Sequence, residues 1–132
     1  MKENKEYITL YVADDGKSFR VKSECERYER EKEKDTCRKE LFKYRILLPN
    51  PIVPDSHHPN ADFIWFNVKN DDVYNLISLS YDKRYPNLEI KKSRYVCIEI
   101  NHKGEIVNSF TIEESIEYVN DYLRKLETYK GV

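Results

Sequence analysis

From Glu6 to Ala13 the chain alternates, with Tyr7, Thr9 and Tyr11 on one side and Ile8, Leu10 and Val12 on the other. A period of two predicts a strand with an aliphatic inner face. Asp15-Gly16 then predicts a hairpin turn, and Lys17 to Val21 a short returning strand. Ser23, with Glu26 three residues on, has the form of a capping box opening a helix. The apolar pattern stops there. From Glu24 to Glu40 seven acidic and six basic residues fill the sequence, leaving Cys25, Tyr28 and Cys37 as the side chains suited to a core. An apolar face returns at Leu41, Tyr44 and Leu48. This predicts a long, charged, exposed helix over about 24–46, a solvated surface or an arm that meets a partner.

Pro49, Pro51, Pro54 and Pro59 break regular structure and mark a loop over 49–62. Phe63 to Lys69 reads as an aromatic third strand. The next stretch fits two periods. Val73, Leu76, Ile77 and Ser80 have helical spacing, whereas Ile77, Leu79 and Tyr81 alternate with polar residues as in a strand. The acidic first turn, with Asn70 or Asp71 as cap, favours the helix. Val96, Ile98 and Ile100 alternate as a fourth strand, His102-Lys103-Gly104 turns it, and Glu105 to Phe110 is the fifth. Thr111 and Glu114 form a second capping box. The helix they open carries Ile112, Ile116, Val119, Leu123 and Leu126 as one apolar stripe, which predicts a core helix.

The expected fold is α+β, a mostly antiparallel five-stranded sheet with about three helices, in the order ββα-loop-βα-ββα, as a single domain over 1–132. The first and last ββα units match position for position: Tyr7 with Tyr95, Gly16 with Gly104, Glu26 with Glu114 and Glu29 with Glu117. Each shared residue has a local cause in a strand face, a turn or a cap, so the match reads as one grammar used twice and not as a duplicated gene.

Composition narrows the function classes. Eleven tyrosines, five phenylalanines and one tryptophan supply enough apolar area for a small core. The net charge of −1 argues against a general electrostatic grip on nucleic acid. Cys25, Cys37 and Cys97 are an odd number without a CxxC pair, which suits a reduced, cytoplasmic protein. The opening MKENKEY lacks the apolar run of a signal peptide, and no segment approaches membrane-spanning length. Three glycines leave no phosphate-cradling loop or dinucleotide fingerprint.

Candidate chemistry is sparse. Asp55, His57, His58 and Asp62 are metal-ligand types in the Pro-rich loop, but their spacing matches no zinc motif. They offer a metal-dependent hydrolase only as the weakest alternative. Cys25, in the first turn of its helix and beside Glu24 and Glu26, suits a small buried hydrophobe better than a nucleophile. The segment from Tyr81 to Tyr95 is the richest cluster. It sets Lys83, Arg84, Lys91, Lys92 and Arg94 among Tyr81, Tyr85 and Tyr95, the pairing of cations and rings that meets phosphates and bases or an acidic surface. Arg84, Tyr85, Lys91, Lys92 and Arg94 are therefore the first candidate partner-binding residues. Arg30, Lys34 and Arg38 on the charged helix form the second.

The stretch YVADDGKSFRVKSECERYE resembles the opening of small accessory proteins of Firmicute phages and other mobile elements. WFNVKNDDVYNLISLSY is similar to a second segment of such proteins, and YVCIEIN…GEIVNSFTIEESIEYV to their closing hairpin and helix. These motifs are structural and carry no catalytic residue to transfer. The resemblance implies a setting: such proteins include anti-CRISPR proteins and sequestrators of immune signalling nucleotides, which act by binding. The expectation is a non-enzymatic protein without cofactor or metal that occludes a surface of a host protein or ribonucleoprotein defence complex. The alternative is a nucleotide or nucleic-acid binder, such as a sponge for a cyclic nucleotide signal. Tyr-rich strands are compatible with a homodimer, and no membrane partner is expected.

Overall fold

The computed structural model describes residues 8–51 and 60–131. The chain divides into two compact units, Met1–Thr36 and Cys37–Val132. The α+β class stands, but among the described residues six strands form two antiparallel sheets of two and four strands, in place of one five-stranded sheet.

The first unit holds β1 (Tyr11–Val12), β2 (Ser18–Phe19) and the first part of α1 (Lys22–Phe42). Tyr11 pairs with Phe19 and Val12 with Ser18. Asp14, Asp15 and Gly16 make a three-residue loop: the Ala13 amide donates to Lys17 O, the Gly16 amide donates to Ala13 O, and Gly16 takes φ of +91°. That positive φ is what the glycine is for. The strand is shorter than its alternation promised, and the expected inner face is on the outside, with Ile8 60% and Leu10 52% exposed. A two-residue ladder offers no sheet to lie against, and among the described residues of this unit the buried side chains are Ala13 and Cys25. Helix α1 also begins before the expected cap. It starts at Lys22, and the Cys25 amide donates to Val21 O, so Ser23 lies inside the helix.

The second unit is built on the sheet β3-β4-β5-β6, where β3 is Arg45–Ile46, β4 Asp62–Asn67, β5 Tyr95–Ile100 and β6 Ile106–Thr111. The charged helix thus ends at Phe42, short of the expected 46. The Tyr44 amide donates to Leu41 O as the chain leaves the helix, and Arg45–Ile46 joins the sheet edge opposite Phe66 and Trp65. Asp62 opens β4, so it closes the Pro-rich loop, of which 52–59 lies outside the described residues. β4 and β5 pair over six residues, from Asp62↔Ile100 to Asn67↔Tyr95, and β5 and β6 pair with a shift between Glu99 and Ile100.

The pleat sends alternate side chains to two faces. One face carries Phe66, Val96, Ile98 and Ile106 and packs with Leu41 of α1, with Val73 and Ile77 of α2 (Asp71–Ser80), and with Tyr81 and Ile90. The other carries Trp65, Cys97 and Phe110, against which Ile112 and Tyr118 of α3 (Ile112–Lys130) pack. Burial on both faces explains why β5 reads as almost unbroken apolar sequence. The ambiguous segment after β4 is a helix, because Asn70 Oδ1 accepts from the Val73 amide and Asp71 and Asp72 fill its first turn.

Helix α3 departs most from expectation. Its capping box is complete: the Glu114 amide donates to Thr111 Oγ1 at 3.1 Å, and the Thr111 amide donates to Glu114 Oε1 at 3.2 Å. Yet none of its residues is buried, and from Val119 to Gly131 every residue is exposed. The expected core helix touches the sheet through its first two turns and then runs outward.

Candidate partner-binding surface

The segment between α2 and β5 is irregular but firmly held. Tyr81 and Ile90 are buried anchors at its two ends. Next to Tyr81, Lys83 bridges to Ile106, the Ile106 amide donates to Asp82 O at 2.8 Å, and the Arg84 amide donates to Ile106 O at 2.9 Å. Next to Ile90, the Tyr74 hydroxyl donates to Ile90 O at 2.6 Å, the Lys91 amide donates to Ser109 Oγ at 3.0 Å, and the Val68 amide donates to Arg94 O. An added link at the centre is the Leu88 amide donating to Tyr85 O. Arg38 closes one end from α1: its Nε donates to Ser80 O at 3.0 Å and its guanidinium lies 5.4 Å from the Tyr81 ring centre. Burial raises the Tyr81 phenol above its ordinary pKa.

All five first-choice residues lie on this one segment, and their surroundings differ. Lys91 Nζ is 2.6 Å from Glu114 Oε2 of the α3 capping box. Lys92 Nζ is 2.8 Å from Asp71 Oδ1 in the first turn of α2, and the bond to Asp71 raises its pKa. Arg94 Nε donates to Asn67 Oδ1 at 2.6 Å and its guanidinium lies 5.7 Å from the Tyr95 ring centre. Three of the cations therefore serve the fold as well as the surface. Arg84 is tied more loosely, 3.8 Å from Glu105 Oε1, and Tyr85 is 49% exposed. The outcome is a surface of mixed charge, not a bare basic patch.

The second-choice residues are not brought together in the same way. Arg30 and Lys34 fall in the first unit and Arg38 in the second. Arg30 shares a shallow concavity with Glu26, Glu29 and Glu33, Lys34 Nζ is 3.4 Å from Glu31, and Arg38 holds the Ser80–Tyr81 end as described. A larger concavity of about 460 Å³ lies in the first unit, beside Asp14, Asp15, Tyr28 and Lys32. Its polar groups are taken up by one another: Asp15 Oδ2 accepts from Lys32 Nζ at 2.8 Å and from the Tyr28 hydroxyl, and Glu29 Oε1 accepts from the Asp14 amide.

For catalytic chemistry, Asp55, His57 and His58 lie outside the described residues, and Asp62 is spent as the first residue of β4. Among the described residues no three His, Cys, Asp or Glu side chains gather to hold a metal ion. Burial pushes the Cys97 thiol up to about 12, and burial together with Glu29 and Glu26 raises Cys25, so neither is an activated thiol. Among the described residues no helix is long and apolar enough to cross a membrane.

Sequence reasoning missed one surface altogether. Ile116 and Val119 of α3, with Leu48, Pro49 and Trp65, line an apolar groove of about 330 Å³ beside the second face of the sheet. Trp65 Nε1 donates to Pro49 O at 3.1 Å and fixes one wall. The signal was present in the α3 stripe, but a period identifies a face without saying what covers it.

The chain matches no protein-family model, no curated protein and no solved structure. Function therefore has to be argued from these surfaces.

Proposed function

We propose that the protein acts by binding, as a phage or mobile-element accessory protein that inhibits a bacterial defence complex by occluding one of its surfaces. The observation that carries this reading is the pinned segment Tyr81–Tyr95. Fourteen-odd irregular residues are ordinarily mobile, and mobility is lost at a cost when a partner binds. Here backbone bonds to Ile106, Ser109 and Val68 have already met that cost. A rigid scaffold that holds a polar loop in one shape is the usual arrangement of a recognition site.

Arg84 and Tyr85 are the contact residues within it. Arginine and tyrosine dominate the energetics of protein interfaces, and the side chains of these two are held most loosely of the five. Lys91, Lys92 and Arg94 shape the flank through their pairing. A host protein with its own mixed-charge surface suits this segment better than a polyphosphate, which would have to displace Glu105, Glu114 and Asp71 from the same cations.

The test is affinity capture from a host lysate with the wild type and with Arg84→Glu/Tyr85→Ala. A defence-complex subunit retained by the wild type and lost by the variant, at equal melting temperature, supports the reading. Equal retention by both discards this segment. A melting-point rise with nucleotides, abolished by the same variant, replaces the reading with that of a nucleotide binder.

A further inference from the structure

We infer that the outer face of α3 pairs with the α3 of a second copy of this chain, forming a parallel dimer about a two-fold axis. Three observations on this helix, all within the second unit, lead there.

The first is the period. Ile112, Ile116, Val119, Leu123 and Leu126 recur at steps of 4, 3, 4 and 3. That is the 3.5-residue repeat of a coiled-coil seam, with Ile116 and Leu123 at a and Ile112, Val119 and Leu126 at d. A helix lying on a sheet or in a groove has no need of so narrow a stripe. Lys130, at the next a position, ends the seam in the last residue of the helix; it meets its own copy in a parallel pair, but there both long side chains reach water.

The second is exposure. Leu123 is 47% and Leu126 50% exposed, and all residues from Val119 to Gly131 are open to water. A helical stretch of roughly three turns without packing is marginal in water. Two such stretches laid together bury each other's seam. The seam also continues from the core, because Ile112 already packs on the Trp65–Cys97–Phe110 cluster. A second α3 would extend that core outward and roof the groove.

Third, the flanks carry no conflict in the parallel register. Each g residue faces the e residue five positions on in the other helix. Tyr122 therefore faces the second copy's Glu127, and Ser115 faces its Asn120. Antiparallel pairing would instead set Glu113 against Glu127, two like charges.

The experiment is sedimentation equilibrium on the full chain across the micromolar range. The wild type is expected at twice its 15.9 kDa, falling toward the single-chain mass on dilution. Leu123→Glu/Leu126→Glu is expected at the single-chain mass throughout. Neither leucine belongs to the monomer core, so the sheet's circular dichroism should persist. Leu126→Cys, at a d layer, should form an intermolecular disulfide in oxidising buffer beyond any seen in a wild-type control. A wild type that stays at the single-chain mass overturns the inference, as does a double variant that remains a dimer. A dimer in which Leu126→Cys does not cross-link overturns the parallel register.

Discussion

At the scale of single residues, Asp15 organises the first unit. One oxygen accepts from Lys32 Nζ at 2.8 Å and from the Tyr28 hydroxyl, the other from the Lys17 amide at 3.1 Å. These bonds, led by Lys32 and then Tyr28, hold its carboxyl well below the ordinary value of 3.8. The same contact raises Lys32 and Tyr28. Lys17 Nζ adds to the cluster, 4.7 Å from the Tyr28 ring centre, while the Phe19 and Tyr28 rings lie 5.2 Å apart. A carboxyl with a depressed folded pKa adds stability that is complete above its unfolded value and is lost as the pH falls below it. Asp15→Asn should therefore lower the melting temperature at neutral pH, and the gap to wild type should narrow as the pH is taken below about 4. Thermal melts of both proteins from pH 7 to pH 2 check this. A gap that stays constant with pH would mean that the charge of Asp15 is not what stabilises the unit. Asp15 was legible in the sequence as a turn residue only. Its partners are 13 and 17 positions away, on a helix whose charges looked uniform, and no local pattern distinguishes Lys32 from its neighbours.

At the scale of elements, the clearest contrast is between the two helices that follow the two similar hairpins. Both turns close in the same way, with Asn101 and Gly104 repeating the bonds of Ala13 and Gly16 and with Gly104 at φ of +77°. The turn was legible because glycine at a positive φ is a local requirement. The caps were half legible. Thr111 and Glu114 form the box, whereas Ser23 lies inside α1, because the helix already starts at Lys22 and its first backbone bond runs to Val21 O. The α3 box is also coupled to the binding segment through Lys91. Burial raises the Glu114 carboxyl, but its bonds to Lys91 and to the Thr111 amide outweigh burial and leave it below its ordinary value. Lys91→Glu places a second carboxylate against that group and should cost about 1 kcal/mol of stability, in the range of a lost helix cap. Arg84→Glu, with its longer pairing of 3.8 Å, should stay within about 0.5 kcal/mol of wild type. Denaturant midpoints of the two variants separate them. If Arg84→Glu destabilises as much as Lys91→Glu, the assignment of Arg84 to the partner rather than to the fold is wrong. The basic run was legible as composition, but composition does not record which carboxylates the fold brings opposite each cation.

At the scale of the whole molecule, burial is distributed unevenly along the chain, and the strand order explains why. β4 and β5 lie inside the four-stranded sheet, paired on both edges and covered on both faces. The alternation of Val96, Ile98 and Ile100 with Cys97 on the opposite face made β5 legible, because a strand covered on both sides is apolar at nearly every position, with Glu99 the exception here. The same logic failed for Ile8, Leu10 and Val12, which are apolar without being covered, and for the α3 stripe. In each case the sequence records a wish to be buried, and only the tertiary structure records whether it is met within one chain. Local stability follows buried contact. Helix α1 crosses this gradient within a single element: its first half carries Cys25 as the buried residue, while its last turn inserts Leu41, fully buried, into the sheet's core. Amide hydrogen exchange should therefore show protection rising along α1 from Lys22 to Phe42, with the slowest amides in β4 and β5. In α3 the protection should fall after Tyr118 in dilute protein and recover at concentrations where chains associate, since a partner that binds only the folded helix stabilises it by mass action. Leu123→Glu/Leu126→Glu removes that recovery without changing β4 or β5. Recovery in the double variant would mean that concentration acts on α3 by some route other than its apolar seam.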